Sequence, residues 1–70
     1  MIDREIYLPE VLFEFVQHGN YVKVMAVDPI TGIEIAMVGD RRAGKATLER
    51  LAIQKLKYVI RKKADEQNHR

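Results

Sequence analysis

Seventy residues allow one domain, and a chain this short buries only about 60% of the surface its unfolded form exposes. Cysteine is absent, so neither a disulfide nor a thiolate metal site can reinforce a core expected to supply roughly 3–5 kcal/mol. A hydrophobic content of 47% excludes a disordered composition, and the net charge of +2 hides a division between the two halves.

Residues 1–40 carry seven acidic and two basic side chains (−5), and residues 41–70 carry ten basic and three acidic (+7). The N-terminus has no basic segment leading into an apolar run, and no apolar stretch approaches a membrane span. The expectation is a cytoplasmic protein with no membrane contact.

Residues 1–10 read as an N-terminal arm or a short edge strand, because Ile6-Tyr7-Leu8 is stopped by Pro9. From Val11 the pattern has period two, with Val11, Phe13 and Phe15 alternating with Leu12, Glu14 and Val16. Gly19-Asn20 is a two-residue hairpin signal, since both residues tolerate positive φ. A second strand runs from Tyr21 to about Val27, and Asp28-Pro29-Ile30-Thr31-Gly32 supplies turn chemistry. Ile33–Val38 is the third strand, ended by Gly39.

Loops at 19–20 and 29–32 fix a register. Phe15 should face Val24, Phe13 should face Ala26, Ala26 should face Ile35, and Val24 should face Met37. One face then gathers Val11, Phe13, Phe15, Val22, Val24, Ala26, Ile33, Ile35 and Met37, the expected core. The opposite face carries Glu14, His18, Lys23 and Glu34 among apolar residues, and is greasier than a solvated face should be.

A helix opens between Asp40, its expected cap, and Gly44, and continues to about Lys63. Leu48, Leu51, Ala52, Leu56, Val59 and Ile60 form its main stripe, which Tyr58 and Ile53 widen to about 220°, well beyond the arc one sheet needs. Residues 64–70 read as a disordered polar tail. The fold class is therefore α+β: a three-stranded antiparallel β-meander followed by one long C-terminal amphipathic helix on one sheet face (βββα), occupying residues 11–63.

Chemistry-bearing motifs are sparse. Gly39-Asp40-Arg41-Arg42-Ala43-Gly44-Lys45 matches G-x-x-x-x-G-K, but Ala46 stands where a hydroxyl must meet magnesium. A capped loop is the simpler reading. Glu14 and Glu34 lie on flanking strands, about 10 Å apart at two interstrand spacings, with no converging base or nucleophile. The chain has no serine, and His18 beside the hairpin reads as a surface or interface residue. No enzyme, cofactor or metal is expected.

The string Gly19-Asn20-x-Val22-Lys23-Val24-x-Ala26-x-Asp28, then Thr31-Gly32-x-Glu34, Val38-Gly39, Leu48, Leu51-Ala52 and Lys55-Leu56-x-Tyr58-Val59 resembles a small bacterial family. Its members have about this length and are classed as a domain of unknown function. The resemblance covers residues 12–63 and rests on turn and core positions, so it implies the fold and no activity. Some members carry the label serine hydroxymethyltransferase. That label does not suit this chain, since such an enzyme needs several times this length and no pyridoxal-phosphate site is visible.

The reading that follows is a non-enzymatic homodimeric interaction or adaptor module, with room for a further protein partner. The candidate interface is Leu12, Val16, Tyr21, Met25, Val27, Ala36 and Val38, or the helix edge around Ile53, Tyr58 and Ile60. Edge-strand pairing across a two-fold is a third route. The alternative is a nucleic-acid-binding regulator using Arg50, Lys57 and Arg61, which fall within about 40° of one another on the helix.

Overall fold

The computed structural model describes residues 7–68. Strands β1 (Leu12–His18), β2 (Tyr21–Val27) and β3 (Glu34–Asp40) form one antiparallel sheet in the order β1-β2-β3. A short 3-10 turn, Arg41–Ala43, leads into the single helix α1 (Lys45–Asn68). This is the βββα arrangement that the alternation and turn residues predict.

The register is also as expected. Phe15 pairs with Val24, Phe13 with Ala26, Ala26 with Ile35 and Val24 with Met37. The first hairpin achieves it with Gly19 alone at positive φ (58°), and Asn20 stays at negative φ. That pattern suits a turn with glycine at its first central position, whose twist matches the flanking strands. In the second connection the Asp28 N–H donates to the Ile33 carbonyl at 2.9 Å, closing the ladder one residue beyond each strand end.

Asp28 holds that connection from inside. It is buried, and its carboxylate accepts the Thr31 hydroxyl at 2.8 Å and the Ile30 N–H at 3.1 Å. The Thr31 hydrogen bond pulls its carboxyl below the usual range; burial opposes this, and the Ile30 N–H assists.

The core is Val22, Val24, Ala26 and Ile35 from the sheet against Leu48, Ala52, Leu56 and Ile60 from α1. The helical set has i, i+4 spacing, so a single narrow row faces the sheet. The helix lies over β2 and β3. Phe13 and Phe15 on β1 are consequently only half-buried, their rings 6.0 Å apart.

Three expectations are corrected here. Leu51, assigned to the core stripe, is 39% exposed, because the contact row runs through Leu48, Ala52, Leu56 and Ile60 and leaves Leu51 on the flank. β3 does not end before Gly39: Gly39 pairs with Val22 and Asp40 with Tyr21. A Cβ at Gly39 would overlap the Leu48 side chain, so glycine there admits the helix rather than terminating the strand. The helix runs five residues past Lys63, to Asn68, through the segment expected to be a disordered tail. Ala64, Glu66 and Gln67 are strong helix formers with no glycine or proline among them, and Arg61–Asp65 and Lys62–Glu66 have the spacing of i, i+4 ion pairs.

Of the expected N-terminal arm or edge strand, residues 1–6 lie outside the described residues. Tyr7–Val11 contains no strand, and Leu8 and Val11 pack against the core.

Candidate interaction surface

Alternation along three paired strands sends every second side chain away from the helix. The pairings arrange these in four rows across the sheet: Leu12-Val27-Glu34, Glu14-Met25-Ala36, Val16-Lys23-Val38 and His18-Tyr21-Asp40. Seven of these twelve residues are apolar, and among the described residues no element covers them. Met25 and Val27 on the central strand are half-buried by their neighbours alone, whereas Leu12 is 50% and Val38 62% exposed. Leu12, Glu14, Met25 and Val27 line a shallow groove at one end.

The acidic side chains sit around this apolar centre, and Lys23 lies within it on the central strand. Glu34 and Asp40 occupy two corners on β3, Glu14 lies on β1, and Lys23 is the single cation. At the hairpin end His18 stacks on Tyr21 with ring centroids 5.6 Å apart. Asp40 is drawn away from the face: Arg42 donates to it through its side chain (3.2 and 3.3 Å) and its backbone N–H (2.8 Å). The side-chain bond, then the backbone bond, hold the Asp40 carboxyl below its usual range.

The ten expected interface residues therefore separate. Leu12, Val16, Tyr21, Met25, Val27, Ala36 and Val38 share the open sheet face. Tyr58 is exposed on the helix and Ile53 half-buried, both distant from that face because the helix lies on the other side of the sheet. Ile60 is a core residue, 9% exposed, since it completes the i, i+4 row on the sheet; it is not available to a partner.

The basic trio occupies the helix surface turned away from the sheet. Arg50 and Arg61 are exposed and Lys57 is half-buried. Lys55 serves a different purpose: its ammonium donates to the Ala36 carbonyl at 2.9 Å, tying the helix to the outer side of β3. Sequence reasoning missed this contact. A lysine beside an edge strand is the available signal, because such residues guard open strand edges.

The G-x-x-x-x-G-K segment is not shaped to cradle a phosphate. The Asp40 carboxylate already accepts the Arg42 N–H, and Gly44 (φ 90°) links the 3-10 turn to the helix. Lys45 lies over the Phe15 ring, 5.5 Å from its centroid. Among the described residues no three His, Asp or Glu side chains are grouped to hold a metal ion, and no helix is long and apolar enough to cross a membrane.

A family model covers residues 8–63 of this chain, from the arm that packs on the core to the last turns above the sheet; its description is Domain of unknown function (DUF6898). The chain belongs to the DUF6898 family. The matched span coincides with the βββα unit and leaves out the helical overhang after Lys63. Neither the curated proteins nor the solved structures contain a match to this DUF6898 chain.

Proposed function

We propose that this DUF6898 domain is a non-enzymatic interaction module that associates with a second copy of itself through the outer sheet face. The observation that carries the proposal is the uncovered apolar field centred on Met25. A sheet with one face in solvent ordinarily alternates apolar-in with polar-out, and here seven of twelve outward residues break that rule. Two such faces stacked about 10 Å apart form a second core, which a chain too short to build a large one lacks. Cytoplasmic residence and an adaptor role belong to the same proposal.

Met25→Glu places a carboxylate at the centre of the contact, where its desolvation opposes association. The variant should keep wild-type circular dichroism and lose the outer-face contact in light scattering. A folded variant of unchanged mass contradicts the contact.

Nucleic-acid binding through Arg50, Lys57 and Arg61 is the weaker reading. Lys62 and Lys63 add to the charge of the helix, but Glu14 and Glu34 make the sheet face repel phosphates, so only the helix could serve. Its test is binding to mixed-sequence DNA and RNA at low salt. Steeply salt-dependent binding lost on alanine replacement of the trio would replace the present proposal.

A further inference from the structure

The two edges of the sheet are not equivalent. Because β1 and β2 are joined by a two-residue loop, the closing pair His18–Tyr21 is a hydrogen-bonded one. The alternation then turns the backbone groups of Leu12, Glu14, Val16 and His18 toward β2. Those of Phe13, Phe15 and Gln17 point to the side on which no strand pairs among the described residues. The same counting from the Asp28–Ile33 bond turns Ala36 outward on β3, and Lys55 donates to its carbonyl. The β3 edge is thus guarded by a cation, and on β1 a seven-residue edge carries no lysine, arginine or proline.

The packing beside that edge is also incomplete. The helix sits over β2 and β3, so Phe13 and Phe15, whose backbones face outward, keep half-exposed rings on the helix side.

We propose that β1 pairs antiparallel with β1 of a second copy, joining two sheets into one of six strands with both helices on the same side. This deepens the self-association proposed above and uses a different surface. Placing the two-fold axis at Phe15 engages all seven residues: Phe15 opposes its counterpart, Phe13 opposes Gln17, Glu14 opposes Val16 and Leu12 opposes His18. Phe13, Phe15 and Gln17 of both chains then exchange six main-chain hydrogen bonds. Glu14 falls diagonally between His18 and Glu14 of the other copy, within reach of a charge-assisted contact with the histidine and with no carboxylate directly opposite. Shifting the axis to Glu14 would set two carboxylates face to face, so charge disfavours that register. The axis of this contact is normal to the sheet and that of the outer-face contact lies parallel to it. Both together can close a four-chain assembly of two six-stranded sheets, with the helices outside.

Amide hydrogen exchange on the wild-type chain tests the edge, read over a dilution series alongside solution mass. The Phe13, Phe15 and Gln17 amides should exchange at least about ten times more slowly in the associated protein than on dilution to single chains. Associated protein in which these three amides exchange at the single-chain rate overturns the edge pairing and leaves the outer-face contact standing. Protection of the three that persists in an associated Met25→Glu variant supports the edge and isolates it from the face. A single-chain mass at every concentration overturns both. Register is read by mixing Glu14→Cys and Val16→Cys chains in this cysteine-free background. The mixture should oxidise to a covalent dimer, and efficient cross-linking of Val16→Cys alone would overturn the Phe15-centred register.

Discussion

Gly39 and Asp28 each occupy a position where one atom decides the fit. At Gly39 the end of the Leu48 side chain fills the space a Cβ would need, so Gly39→Ala must push that buried side chain out of its place in the core. Overpacking of this kind costs about 1–3 kcal/mol, a large part of what a core this small supplies. Urea denaturation should show a lowered midpoint with an unchanged slope. An unchanged midpoint would mean that the Leu48 side chain repacks without cost. Asp28 governs acid sensitivity. Its carboxyl titrates below the ordinary value of 3.8, so its contribution to stability is present above that value and disappears as pH falls through the lower folded value. Asp28→Asn should lower stability at neutral pH and flatten the acid limb of a stability–pH curve. Asp40, also held low, keeps some slope in the variant. An acid limb identical in the two proteins would show that the Thr31 and Ile30 bonds do not couple to folding.

At the scale of elements, period-two alternation and two turn signatures specify strand register, because a one-residue slip would move every core side chain to the other face. Val22, Val24, Ala26 and Ile35 were legible for that reason. Helical periodicity carries less: it gives the angle of a side chain around the helix and not the lateral seat of the helix on the sheet. Leu51 was misassigned for that reason, and the half-exposure of Phe13 and Phe15 was not foreseen. Gly39 was misread because glycine signals both a strand end and a close approach, and only the position of Leu48 separates the two. The open face of the sheet was legible from the same alternation; the guard of Lys55 on Ala36 was not, since it joins positions 19 residues apart. Replacing Lys55 with Ala frees that carbonyl and should produce species larger than wild type at high protein concentration, read by sedimentation. Unchanged sedimentation would show that the β3 edge needs no guard. Conversely, the core cluster holds no described residue after Ile60, and Ala64→Gly should change stability by no more than the intrinsic propensity difference of about 1 kcal/mol. Leu56→Ala should cost about 2–5 kcal/mol, enough to unfold most of the population.

Over the whole molecule, the dimensions are 44 × 23 × 22 Å, the long axis set by a helix that outruns its sheet. A helix of 24 residues spans about 36 Å against about 24 Å for seven-residue strands. The charge division follows this shape. Acidic side chains surround the apolar sheet face and basic ones coat the helix as far as Lys63, so each chain presents opposite signs on opposite sides. Association through the apolar centre of the sheet face depends little on screening, unlike contact between the acidic and basic sides of neighbouring chains. Ionic strength therefore distinguishes the two modes. The most direct measurement is the solution mass of wild type and Met25→Glu by light scattering between low and high salt. The account predicts a wild-type mass that is a salt-insensitive multiple of the 8.1 kDa chain and that falls in Met25→Glu while the fold is retained. A wild-type mass of 8.1 kDa at all concentrations, with the apolar face left open, would contradict it.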